Sequence, residues 1–211
     1  MAPEKKECQW LLDMAEGATI WDWNVGNHSR LIDFYKEVIA GDKAEPKTPL
    51  PYYYLLDELI SDHRTEEARQ YLEQLKTLPA CKKVLIPVYE ANIALAEFDA
   101  PRADAILERA LSEFPGNADL LFEAAQFYAR RCDYERAIGF YEAAYAAETR
   151  RPRFIDALQG IAVIYEIRGE YDRAVETRER ILDALKTEWG LTEETSVRET
   201  QQEIERLRKK H

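Results

Sequence analysis

The chain has 211 residues, 46% of them hydrophobic, and 29 lysines and arginines stand against 40 aspartates and glutamates, a formal charge of −11. That length holds one domain or a short array with enough apolar sequence for a packed core, and 8 glycines and 9 prolines are too few for a collagen-like or low-complexity chain. The acidic balance argues against electrostatic capture of nucleic acid or an anionic membrane surface, both of which need clustered lysine and arginine.

In chain order, residues 4–16 read as a helix, and Lys5 and Lys6 are followed by no apolar run long enough for a signal-peptide core. Residues 19–28 read as a loop bearing Trp21 and Trp23, expected to plug the apolar end of the molecule or to offer a contact surface. Leu31, Ile32, Phe34, Tyr35, Val38 and Ile39 give residues 29–40 a helical period. A proline-bearing joint over 41–51 follows. Helices are then predicted near 51–62, 65–77, 83–97, 102–113, 118–131, 134–147, 154–168 and 171–187, punctuated by Pro79, Pro115 and Pro152. The run 150–153 reads as a basic loop. Residues 192–210 form a charged helix whose apolar positions are Val197, Ile204 and Leu207. No segment approaches the roughly 20 apolar residues of a membrane span. Cys8, Cys81 and Cys132 are odd in number and lack CxxC spacing, which points to reduced thiols and a cytoplasmic location.

The stretches 127–137 and 164–174 read alike: apolar, Tyr, two variable residues, Arg, a small residue, acid, Tyr, acid, Arg, Ala. Fainter copies precede them. The anchoring alanines Ala68, Ala103, Ala137 and Ala174 lie 35, 34 and 37 residues apart. A small residue on the first helix of each pair, Ala91, Ala125 or Ala162, and the anchoring alanine on the second let two helix backbones approach where they cross. With Leu121, Tyr128 and Tyr141 in the third copy and Leu158, Tyr165 and Ile181 in the fourth, this pattern resembles the tetratricopeptide repeat (TPR), a helix-turn-helix unit of 34 residues. The resemblance covers residues 50–188, strongly from 84.

It implies an all-α fold: a right-handed superhelical solenoid of antiparallel helix pairs, with about four repeats. The implied layout is an N-terminal helical extension or degenerate repeat at 1–48, the array at 49–188 and a C-terminal capping helix at 189–211, which a solenoid needs over its last repeat. It further implies a protein- or peptide-binding scaffold whose first helices line a groove. The groove positions fall on Tyr53, Tyr54 and Asp57, on Val88, Tyr89 and Asn92, on Phe122, Glu123 and Gln126, and on Gln159 with Val163. One TPR subgroup holds chaperone C-terminal carboxylates with Lys, Arg and Asn at these positions. Here only Asn92 corresponds, so the expected partner segment is apolar with basic residues facing Asp57 or Glu123. Tyr53, Tyr54 and Tyr89 either line this groove or pack between neighbouring repeats.

Catalytic chemistry finds no support in the sequence. There is no phosphate-binding glycine loop, no His-Glu-x-x-His, no Gly-x-Ser-x-Gly and no paired CxxC. His28, His63 and His211 have no second ligand at metal-binding spacing. Neither cofactor nor metal is expected, and the chain reads as non-enzymatic. A sensing module of a bacterial-type signalling or transcription system and a helical-repeat enzyme subunit are the alternatives. Self-association through the array ends or the C-terminal helix is a further expectation.

Overall fold

The computed structural model describes residues 28–42 and 47–210. The expected helix at 4–16, the Trp21/Trp23 loop, Cys8 and His211 lie outside the described residues. Ten α-helices and no strand occur among those described: α1 (His28–Gly41), α2 (Leu50–Ser61), α3 (Thr65–Lys76), α4 (Ile86–Ala96), α5 (Ala100–Glu113), α6 (Ala118–Arg130), α7 (Tyr134–Ala147), α8 (Asp156–Ile167), α9 (Tyr171–Thr187) and α10 (Thr195–Arg208). Each observed helix matches an expected one to within about three residues at either end. The largest shifts are at the starts of α4 and α10; in α4 a 3-10 turn at Lys83–Leu85 precedes the helix and Pro87 occupies its first turn, a place where the missing N–H costs nothing.

The chain forms two compact units, Met1–Glu108 and Arg109–His211. In the first, α2 packs on α1, α3 and α4. Its core joins Leu31, Ile32 and Tyr35 of α1 to Leu55, Leu56 and Leu59 of α2, with Leu72 and Leu75 of α3 and Ile93 of α4. In the second, α6 pairs with α7 and α8 with α9, α7 packs on α8, and α10 lies along α9. There α10 buries Val197, Ile204 and Leu207, the three apolar positions of an otherwise charged sequence.

All four anchoring alanines, Ala68, Ala103, Ala137 and Ala174, are fully buried, as are Ala91, Ala125 and Ala162. The turn before each anchor repeats in its backbone. His63, Phe98, Cys132 and Gly169 each take a positive φ, between 57° and 72°. The next residue in each case donates its N–H to the carbonyl five positions back: Arg64 to Leu59, Asp99 to Ala94, Asp133 to Tyr128 and Glu170 to Tyr165. This left-handed closure satisfies carbonyls that a helix end leaves open. Four turns with one hydrogen-bond scheme are the repeat expressed in the main chain.

The paired Tyr and Arg of the two best-matched copies also acquire a reason. The Arg136 guanidinium lies over the Tyr128 ring and that of Arg173 over Tyr165, each 4.2 Å from the centroid. An arginine eight residues after the tyrosine crosses the turn and covers its ring.

Candidate peptide-binding surfaces

In the first unit, neighbouring tyrosines on α2 turn to opposite sides. Tyr54 stacks on Tyr35 of α1 at 5.5 Å, and Tyr53 stacks on Tyr89 of α4 at 5.8 Å. The Tyr53 hydroxyl accepts the Lys82 N–H at 2.8 Å and donates toward the Cys81 sulfur at 4.0 Å. The rings therefore bridge successive repeats while keeping accessible edges: Tyr53 and Tyr89 are half-buried and Tyr54 is 38% exposed. Asp57 is exposed and Asn92 half-buried on the same helices. Val88 is different. It is 3% exposed, so its side chain serves packing and lies below the surface that its neighbours present. Burial, followed by the charges of Glu58, Tyr54 and Asp57, pushes the Tyr35 hydroxyl well above the usual phenol range. Burial first of all also raises Tyr53. These rings thus stay neutral across physiological pH.

In the second unit, α6 carries half-buried Phe122, Glu123 and Gln126, and α8 carries exposed Gln159 and Val163. Phe122 meets Tyr141 of α7 edge-on at 5.6 Å. The Tyr141 ring in turn lies against Gly160 of α8, so closely that a β-carbon there would stand 2.6 Å from the ring. Burial raises the Tyr141 hydroxyl, with Arg130 opposing and Glu123 adding to the shift. Phe122, Tyr141 and Gly160 thereby tie three successive helices together.

Two exposed apolar residues stand out on α8: Val163, an expected groove position, at 47% and Ile167, outside the expected set, at 62% exposure. They continue the face begun by Gln159 in steps of four. The signal was present in the sequence, since Ile161, Ala162, Ile164 and Tyr165 already fill the core-facing positions of this helix. Beside this face a cleft of about 490 Å³ opens among α8, α9 and α10, bounded by Ile155, Gln159, Arg178, Leu185, Glu199 and Thr200 among others. Behind it Glu166 accepts from Arg178 at 2.9 Å and from Arg206 at 2.5 Å. Burial raises the Glu166 carboxyl, but those two arginines outweigh it and hold it below the usual range.

The basic loop is neutralised within the fold. Arg150 pairs with buried Glu148 and with Asp119 of α6, and Arg153 pairs with Glu188 just beyond α9. Arg151 donates to the carbonyls of Glu148 and Arg150, so this run is a tie between repeats. His28 begins α1 and its Nδ1 lies 2.7 Å from the Glu58 carboxylate. His63 bonds the Ala96 carbonyl and stacks on Phe98. No group of three metal-ligating side chains occurs among the described residues, and no described helix is long and apolar enough to cross a membrane.

Helix pairs with a recurring left-handed turn, buried small residues at the crossings and a polar last helix define a helical-repeat solenoid of tetratricopeptide type. Residues 94–154 and 157–188 each match a family model described as tetratricopeptide repeat, and the protein is a tetratricopeptide-like helical-repeat protein. Among solved structures it is similar to a Podosopora anserina protein with nearly identical TPR-like repeats, at 21% identity over 78% of this chain and 88% of that one, with a TM-score of 0.53. It is also similar to a thermophilic TPR protein of Thermus thermophilus, at 16% identity over 89% and 94% of the two chains, with a TM-score of 0.50. At such identities the likeness is one of fold. No curated protein matches the sequence at a significant level.

Proposed function

We propose that the protein is a non-enzymatic adaptor that holds a peptide segment of a partner on the first-helix faces of its repeats. The observation that carries this reading is the surface of α2 and α4, where Tyr53, Tyr54 and Tyr89 offer ring edges beside Asp57 and Asn92. Tyrosine contributes apolar area with a polar tip at low entropic cost, which suits an interface anchor. The corresponding face in the second unit, with Phe122, Glu123, Gln126 and Gln159, has the same aromatic, amide and acidic character. Both faces favour a segment with apolar anchors and basic residues. The tetratricopeptide repeat is in general a protein-interaction module, and that supports the same reading.

A peptide array tests it. The protein should prefer apolar-basic segments, and Asp57→Lys should weaken capture about tenfold while leaving the melting temperature within a degree or two. A preference for acidic C-termini, or capture indifferent to Asp57→Lys and Tyr54→Ala, would overturn it.

A further inference from the structure

The cleft among α8, α9 and α10 extends beyond the aromatic surface that Gln159 shares with it, and its charges are unevenly satisfied. Arg178 is held by Glu166 through Nη2 while its Nε is buried without a hydrogen-bond partner among the described residues, and Glu203 is held by Arg206 at 2.5 Å. Glu199 lines the cleft, is exposed, and makes no ion pair among the described residues. Its excess charge is therefore negative. Leu185, 4% exposed, contributes an apolar wall, with Ile155 at the edge. The rest of the lining is polar, so a carboxylate beside this small apolar strip matches a side chain with a short aliphatic stem to lay on Leu185 and Ile155 and a cationic head that stays at a polar site.

The face of α8 adds a ruler. Gln159 borders the cleft, and Val163 and Ile167 follow it at one and two steps of four residues. At a rise of about 1.5 Å per residue these steps lie ~6 and ~12 Å along the helix. An extended chain advances ~3.3 Å per residue and returns side chains to one side every second residue. Residues two and four positions along such a chain fall at the same two spacings.

We propose that this cleft takes a lysine or arginine side chain of the bound segment, and that Val163 and Ile167 seat aliphatic residues two and four positions from it. The proposal rests on the peptide-binding reading above and locates a specificity-determining pocket within it. Glu199 supplies the counter-charge, and Leu185 with Ile155 meets the stem.

The test is a titration of the full ¹⁵N-labelled chain with the blocked pentapeptide Lys-Ala-Leu-Ala-Leu, followed by amide shifts. Shifts should concentrate at Ser196–Glu203 and on α8. Replacing the lysine by norleucine or glutamate should weaken binding about tenfold, as should moving the leucines to the second and fourth positions. Glu199→Gln, at an exposed position, should cause a similar loss for the lysine peptide with an unchanged melting curve. Equal binding of the norleucine peptide, indifference to Glu199→Gln, or no shift from any probe overturns the proposal. Shifts confined to α2, α4 and α6 overturn the cleft while leaving the broader peptide-binding reading intact.

Discussion

Gly160 lies beneath the Tyr141 ring, and there a single hydrogen in place of a methyl group decides how closely α7 and α8 approach. Tyr141 is 6% exposed, so its ring has little room to yield. Gly160→Ala should therefore destabilise the fold by about 1–3 kcal/mol through overpacking, even though alanine is the better helix former. Thermal melting checks the sign, and combining it with Tyr141→Leu should recover much of the loss because the two sites share one contact. The anchoring alanines were legible in the sequence because they recur at a fixed period. Gly160 was not. A lone glycine in a helical pattern reads as a weak spot, and its purpose appears only with a ring that arrives from another helix. Val88 failed in the opposite direction: its place in the repeat assigned it to the groove, while its apolar character carried it into the interior.

At the scale of elements, the loop between α7 and α8 shows what a linear reading of charge misses. Residues 150–153 look basic because two of their three carboxylate partners are remote in sequence, Asp119 31 positions from Arg150 and Glu188 35 from Arg153, and only Glu148 is near. The Glu188 carboxyl accepts from the Arg153 guanidinium and from its backbone N–H, which lower it from 4.5 to about 2. A folded value below the unfolded one means that the ionised form is preferred in the native state. The resulting stability is fully present above the unfolded value and is lost as pH falls from about 4.5 towards 2. The melting temperature should therefore decline through that window, and Glu188→Gln should flatten this decline while lowering stability at neutral pH. Trp189 gives a local optical report, since its indole N–H donates to the Arg153 carbonyl at 2.9 Å and its ring meets Phe154. A fluorescence change that tracks the acid transition in the parent and is blunted in Glu188→Gln would establish the link.

For the molecule as a whole, the repeat was readable because period, buried alanine and turn all express one demand: each helix pair must cover the exposed face of its neighbour. The helices followed within a few residues for the same reason. The binding surfaces were less legible, because the sequence ranks positions on a helix but does not say which rings lie against each other. Tyr53, Tyr54 and Tyr89 are both packing and surface, and only the pairing with Tyr35 and between α2 and α4 shows how one ring serves both. The formal charge of −11 is likewise redistributed by the fold, with much of it tied into arginine pairs between repeats.

The left-handed turn residue allows stability to be adjusted apart from recognition. Three of the four turns place a side-chain-bearing residue where glycine is at ease, and Cys132 and Phe98 are exposed there, Phe98 to 88%. Cys132→Gly should raise stability by about 0.5–1 kcal/mol, read as a higher melting temperature, by relieving a conformation that L-residues resist. These corners belong to neither the aromatic faces nor the cleft. A hardened version of the scaffold with its recognition chemistry unaltered is thus reachable by editing its corners, and Cys132 in the parent is an exposed thiol where a reporter dye can be attached at one of them.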